Sequence, residues 1–279
     1  MMTAQDRHLS GKTAWVTGSS RGIGRSILAQ FAEAGANVVL HGTHPQSPRS
    51  FNEGGSLEDV AKSTSEAYGV SCLPVYGDLT QEPVVEQVVG QIHEAFETID
   101  ILVNCAGGDV GTKGLQAPLA GKPEKNDAVF ISFEDIRMVL DRNLITCILC
   151  CRAVAPEMMA RKSGKIINIG SVAGLAGVES SVIYATAKAG MHEYTRCLAV
   201  QLKPFNINVN AIAPGDIITE RWKASRTYED AKMVTGDTLD RYGQPEEISR
   251  VVEFLASEKA SYVSGQILRV DGCMQAWPA

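Results

Sequence analysis

From Thr13 onward, short apolar runs rich in β-branched residues alternate with longer amphipathic stretches, and that rhythm admits few folds. A strand followed by a helix-length crossover is delivered parallel to the one before it, so its sheet is covered on both faces. Strands are expected at Thr13–Val16, Asn37–His41, Ser71–Tyr76, Ile99–Asn104, Lys165–Ile169, Ile207–Ile212 and Ile267–Val270. Helices are expected at Gly22–Ala34, Leu57–Tyr68, Glu82–Glu97, Phe133–Lys162, Val182–Leu202 and Pro245–Ser257. The pattern predicts an α/β chain: a doubly wound, seven-stranded parallel sheet with helices on both faces.

Length and charge narrow the possibilities. The 279 residues suffice for one sizeable core, and neither a repeat nor a composition shift divides them, so 1–279 is expected to be a single domain with a short N-terminal extension, 1–8. A net charge of −6 and a pI near 5.5 argue against a nucleic-acid partner. No apolar run approaches the roughly 20 residues that span a bilayer, and MMTAQDRHLSGK lacks a secretion-signal core, so a cytoplasmic protein without a membrane partner is expected. The seven cysteines show neither zinc-type pairing nor an even disulfide set, and no metal is expected. Cys147, Cys150 and Cys151, within LITCILCCRAVA, read as small buried hydrophobes.

Three connections are long for such a fold: Gly42–Ser56, 107–131 and 216–243. The last two would lie on the substrate side, and 216–243 is expected to contain short helices around Trp222.

Thr17-Gly18-Ser19-Ser20-Arg21-Gly22-Ile23-Gly24 joins the first strand to the first helix. In that context glycines let the backbone approach a pyrophosphate, and the helix N-terminus supplies free N–H groups. The turn suits a Rossmann-like dinucleotide site, with Gly18, Ser20, Arg21, Gly22, Ile23 and Gly24 against the cofactor. An acidic residue ending the second strand would hold the 2′-hydroxyl of NAD(H), but that strand runs Val38-Val39-Leu40-His41-Gly42-Thr43-His44. Arg21, with Thr43, His44 or Arg49, could hold a phosphate instead, so NADP(H) is favoured and NAD(H) remains possible. Asp78, followed by Leu79, is placed to meet the adenine amino group. Asn104, Ala106 and Gly107 end the fourth strand beside the adenosine ribose.

The chemistry is expected in Ser171–Lys188, SVAGLAGVESSVIYATAK. Tyr184 and Lys188, four apart, share a helical face. A phenol is a poor acid–base group near neutrality, but an ammonium at about 4 Å favours phenolate by roughly 4 kcal/mol at an effective dielectric of about 20. Ser171, just past the fifth strand, would hydrogen-bond the carbonyl oxygen that Tyr184 protonates.

Together these motifs resemble the short-chain dehydrogenase/reductase family in its compact form, including its 3-oxoacyl-acyl-carrier-protein reductases, from Leu9 to Asp271. The matching pieces are Thr17–Gly24, Asn104–Gly107, Asn143, Ser171, Tyr184 with Lys188, and Pro214-Gly215 with Thr219. The resemblance implies a catalytic tetrad of Asn143, Ser171, Tyr184 and Lys188. Tyr184 would be the acid in reduction and the base in oxidation, Lys188 would bind the nicotinamide ribose, and Asn143 would hold a relay water. It also implies that Pro214, Gly215, Ile217 and Thr219 meet the nicotinamide and that hydride leaves its B face. Two departures stand out: the segment between Gly107 and Asn143 is longer than in minimal members, and the family's Asp-Gly-Gly reads Asp271-Gly272-Cys273. The tail Met274–Ala279 would pack at a subunit interface, and a homotetramer (or homodimer) is implied.

The expected function is NAD(P)(H)-dependent interconversion of a ketone and a secondary alcohol, with NADPH-dependent carbonyl reduction favoured and a small carbonyl or alcohol as substrate. One alternative is an NAD-dependent polyol, sugar or hydroxy-acid dehydrogenase; another, of a different class, is a non-catalytic dinucleotide-sensing protein. Lys113, Lys122 and Lys125 would form a basic patch for an acyl-carrier substrate, whereas Asp109, Glu179 and Arg221 would suit a polar one. Trp222, Val178 and Met191 would suit an apolar ketone, and Asp109, Ser171, Glu179 and Trp222 are the candidate substrate contacts.

Overall fold

The strands lie side by side in the order β3-β2-β1-β4-β5-β6-β7, every neighbouring pair parallel. They span Thr13–Val16 (β1), Asn37–Gly42 (β2), Cys72–Tyr76 (β3), Ile101–Asn104 (β4), Gly164–Ile169 (β5), Ile207–Pro214 (β6) and Ile267–Val270 (β7). This computed structural model describes residues 7–236 and 238–277. Part of the 1–8 extension and the end of the tail, Pro278 and Ala279, lie outside the described residues.

The helices are α1 (Gly22–Glu33), α2 (Leu57–Tyr68), α3 (Glu82–Ala95), α4 (Pro118–Gly121), α5 (Phe133–Leu140), α6 (Thr146–Arg161), α7 (Val182–Leu202), α8 (Glu220–Ala224) and α9 (Pro245–Ala256). Alternation along each strand divides the apolar side chains between two cores. Val16, Val38, Leu40 and Val103 face α1, α2 and α9, whereas Trp15, Val39, Leu102 and Ile166 face α3, α6 and α7. Sequence order reverses between β1 and β4, so the chain leaves those two strands in opposite directions and opens a crevice at their carboxyl ends.

Two helix starts differ in a way that matters for the site. Before α2, Ser56 and Asp59 form a reciprocal capping box, and Gly69 ends the helix at φ +64°. Before α1, Arg21 gives no side-chain cap, and the first N–H, that of Gly22, is taken by a side chain from outside the helix, Glu53.

The helix expected to run unbroken over Phe133–Lys162 is interrupted. Asp141–Ile145 forms a π turn between α5 and α6, and Asn143 lies in it. Periodicity alone does not register one extra residue in a turn, because the apolar face resumes after it. The 216–243 connection contains α8 and a short 3₁₀ turn, Asp230–Lys232, as expected.

Candidate active site

A cavity of about 640 Å³ runs along the carboxyl ends of the strands. Its floor begins at the turn after β1. Gly18 has φ +66°, and a Cβ there would lie 2.7 Å from the Ala106 Cα, so only glycine lets the turns after β1 and β4 meet. Thr17 Oγ1 holds the two turns together by accepting from the Cys105 and Ala106 N–H groups, each at 3.0 Å.

His41 pins this floor from the end of β2. Its Nδ1 accepts from the Gly18 N–H at 3.0 Å, and its Nε2–H donates to the Gly77 carbonyl at 3.1 Å. Those partners require the neutral Nε2–H tautomer. Burial pushes the pKa of His41 down to about 4. Its backbone accepts from the Ser20 N–H and donates to Ser19 Oγ, so one residue holds three positions of the glycine turn.

At the start of α1 the Gly22 N–H donates to Glu53 Oε2 at 2.7 Å. Arg21 donates to the Ser47 carbonyl at 3.0 Å, with its guanidinium 5.7 Å from the Phe51 ring centroid. Arg25 donates to the Ser19 and Ser20 carbonyls.

The deeper end holds the hydroxyl, phenol and ammonium. Lys188 is buried and donates from Nζ to the Ile169 carbonyl at 2.7 Å, the end of β5 thereby fixing the ammonium 5.6 Å from the Tyr184 ring centroid. Ser171 Oγ accepts from the Ala173 N–H at 3.1 Å, starting a 3₁₀ turn and leaving its own proton free. Asn143 is fully buried behind the cavity wall. Its amide donates to the Gly108 and Val139 carbonyls at 3.0 and 2.8 Å, and its Oδ1 accepts from the Gly108 N–H at 2.8 Å. Both donors are spent, which leaves one Oδ1 lone pair for a water. His192, two helical turns beyond Tyr184 on α7, presses against Gly170. Burial, then the Lys188 charge, lowers its pKa to about 4.

Over this end lies the 107–131 connection. Asp135 at the start of α5 accepts from the Thr112 N–H and hydroxyl at 2.7 and 2.9 Å. Asn126 donates to Asp109 Oδ2 at 2.7 Å and accepts from the Ser181 N–H at 2.8 Å, tying the connection to the first turn of α7. Arg221 donates to the Asp109 carbonyl at 2.9 Å, and burial lowers its pKa against the opposing pull of Tyr184 and Asp109. Burial likewise lowers the pKa of Lys122, which faces Asp109 and Arg221 across the cavity. Trp222 Nε1 donates to Asp216 Oδ1 at 3.0 Å, and its ring packs between Tyr228 and Tyr242.

Most of the expected residues come together here. The turn residues Gly18, Ser20, Arg21, Gly22, Ile23 and Gly24 line the cavity, as do Thr43, Asp78, Leu79, Ala106 and Gly107. So do Ser171, Tyr184 and Lys188, then Pro214, Gly215, Ile217 and Thr219, and finally Asp109 and Trp222. Four others do not line it. His44 is exposed, one residue past the point where the chain turns toward Ser47. Asn104 is buried beneath the floor and donates to Asn168 Oδ1 at 2.9 Å. Glu179 is exposed, its neighbours Val178 and Ser180 facing the cavity instead. Asn143 acts on the cavity only through the Gly108 backbone.

Other expectations dissolve as well. Lys113 is exposed and paired with Glu124 at 2.5 Å, and Lys125 is exposed, so only Lys122 of the three lysines reaches the cavity. Met191 is buried in the sheet core. Met274 and Gln275 of the tail line the cavity, with Gln275 donating to the Val172 carbonyl at 3.0 Å. Conversely, His41, Ser47, Glu53 and Arg142 line it without having been singled out. A histidine interrupting an apolar strand was the one available signal. Glu53 offered none, being a carboxylate in a polar loop.

The cradle suits a dinucleotide: glycine backbone at the switch point, the N-terminus of α1 and polar groups along one continuous wall. Comparison with known proteins agrees. Residues 18–275 match the family model described as enoyl-(acyl carrier protein) reductase. The chain is 35% identical over 268 residues to a 3-oxoacyl-(acyl-carrier-protein) reductase of Aquifex aeolicus, covering 95% of this chain and 98% of that one. It is 35% identical over 269 residues to a cyclohexanol dehydrogenase of a Rhodococcus species, covering 95% and 96%. Among solved structures, a 7α-hydroxysteroid dehydrogenase complexed with NADH and 7-oxo glycochenodeoxycholic acid superposes with a TM-score of 0.78. That pair shares 31% identity and 98% coverage of each chain.

Proposed function

The chain belongs to the short-chain dehydrogenase/reductase family, and from that premise we propose that it interconverts a ketone and a secondary alcohol by hydride transfer with NAD(P)(H), carbonyl reduction being the favoured sense. The observation that carries this reading is that one cavity contains both the glycine turn with the α1 N-terminus and Ser171, Tyr184 and Lys188.

The bound dihydronicotinamide supplies the hydride. Tyr184 donates its phenolic proton to the carbonyl oxygen, and the Ser171 hydroxyl donates a hydrogen bond to the same oxygen, stabilising the charge that develops there. Lys188 keeps two ammonium protons beyond the one given to Ile169, enough to bind a ribose hydroxyl beside Tyr184. Asn143 keeps the Gly107–Gly108 wall beside Lys188, and its remaining lone pair can hold a water for proton return. Pro214, Gly215, Ile217 and Thr219 form the opposite wall, against the nicotinamide.

Within this reading the substrate end favours a polar, acid-bearing ketone or alcohol. Lys122 and Arg221 face Asp109 there, while Arg226 is cancelled by Asp216. A non-catalytic nucleotide sensor would need none of the side chains gathered around Ser171. We propose a homotetramer or homodimer, supported by the exposed Phe254, Tyr262 and Trp277.

The test is turnover of a carbonyl panel by wild type and Tyr184→Phe, with nucleotide binding followed by fluorescence. Loss of about 10²–10⁴-fold in kcat with nucleotide affinity retained is the expected result. Full activity in the variant, or no binding of either nucleotide by wild type, would reject the proposal.

A further inference from the structure

The cations at the substrate end are not all alike. On and just after α8, Lys223 is paired with Glu220 and Arg226 with Asp216, whereas Arg221 turns inward to the cavity and, among the described residues, has no carboxylate partner. Its three nitrogens are used differently. Nε is sealed from solvent, Nη2 donates to the Asp109 carbonyl at 2.9 Å, and Nη1 makes no hydrogen bond and keeps open surface. Lys122 is a second half-buried cation of this wall, unpaired among the described residues, unlike Lys113 of the same connection.

The backbone fixes where Arg221 sits. Gly108 has φ +128°, and a Cβ there would lie 2.7 Å from Nη1 and 3.0 Å from the guanidinium carbon, so the glycine makes room for the group. The adjoining Gly107 stands against Lys188, its own Cβ position 3.6 Å from Nζ. Two consecutive glycines thus meet first the ammonium beside Tyr184 and then the guanidinium.

We propose that Arg221, through Nη1 and backed by Lys122, binds a carboxylate of the substrate, so that the compound reduced is a short oxo acid whose carboxylate lies within a few bonds of the carbonyl. The inference rests on the ketone and alcohol reading above, and adds to it the group that grips the acid and its place relative to the carbonyl. Two cations against the single carboxylate of Asp109 leave one positive charge, which a carboxylate matches and a phosphate, at about −2, exceeds. Burial disfavours both cations, and an anion between them offsets that cost. A guanidinium holds a carboxylate in a defined plane, which orients the adjacent carbonyl toward Tyr184 and Ser171. The reaction balances without a further reactant: the carbonyl carbon gains hydride from the reduced nicotinamide, its π pair moves to oxygen, that oxygen takes the Tyr184 proton, and the carboxylate is unchanged.

The test measures kcat and KM for 3-oxobutanoate and 2-oxobutanoate, for their methyl esters and for dihydroxyacetone phosphate, in wild type, Arg221→Met and Lys122→Met. Wild type is expected to favour the acids over their esters by about tenfold or more in kcat/KM, with a smaller advantage at high salt. Arg221→Met should lower that acid-to-ester ratio about tenfold, chiefly through the KM of the acid, and Lys122→Met should lower it by less. Thermal melts and nucleotide titrations establish that both variants are folded and bind cofactor. A wild type that prefers the esters or the phosphate, or a ratio that stays within about twofold of wild type in both variants, overturns the carboxylate assignment while the ketone reading stands. No turnover of any of these compounds by wild type overturns both.

Discussion

Single residues at this site were legible when their chemistry was unusual for their position, and hidden when it depended on a partner remote in sequence. Tyr184 and Lys188 announced themselves by spacing on one helix face. His41 acts through Gly18 and Gly77, on segments that only the sheet brings beside it. Its low pKa fixes a pH dependence. The unfolded chain, near the ordinary 6.5, binds a proton that the folded chain accepts only at about 4. Stability is therefore complete above about pH 6.5 and declines as pH falls toward 4, His41 alone removing about 2 kcal/mol between pH 7 and 5. Urea melts at those two pH values should show it, and His41→Gln should flatten that part of the slope. A second residue carries local strain. Cys273, where the family pattern has glycine, adopts φ +72°. Cys273→Gly is expected to raise stability by up to about 1 kcal/mol by relieving the left-handed backbone. A lower melting temperature in that variant would show that the cysteine side chain contributes more than the strain removes.

At the scale of elements, the strands and most helices were readable from periodicity, but the interruption at Asp141–Ile145 was not. The π turn puts Asn143 against Gly108, so the irregularity coincides with the residue proposed to hold a water for proton return. Asn143→Ala removes three hydrogen bonds and leaves the Gly108 N–H and carbonyl without their partners. A loss of about 2–3 kcal/mol in stability is expected, together with a fall in kcat larger than any change in nucleotide affinity. The 107–131 connection is tied down at two points, on Asp135 and on the start of α7. Its predicted role is on the substrate side alone. Asn126→Ala, which cuts the bond to Asp109, should raise substrate KM severalfold and leave the nucleotide Kd unchanged. An equal effect on both constants would place this connection on the cofactor instead.

Across the whole molecule, the sheet order explains why residues at the ends of all seven strands and in the segments after them share one cavity. Parallel strands present all their carboxyl ends on one edge, and the reversal between β1 and β4 parts the following turns there. The same architecture leaves Tyr262 fully exposed at 103% and Trp277 at 47%, on the side of the chain that follows α9. If these cover a subunit contact, Tyr262→Glu should lower the molecular mass measured by light scattering. An unchanged mass would exclude that surface.

The amino-acid sequence by itself determined the elements whose information is local: a strand's apolar run, a glycine turn, a Tyr–Lys pair one helical turn apart. Those follow from backbone sterics and the 2.0 and 3.6 periodicities, which need no distant partner. Tertiary structure alone decided that His41 would be a neutral pin, that Asn104 and Glu179 would stay out of the cavity, and that Glu53 would enter it. Each of those outcomes depends on which face of a strand is covered or where a long loop comes to rest. Hydrogen-bond partners far apart in the chain settle such questions, and their pairing exists only once the sheet has formed.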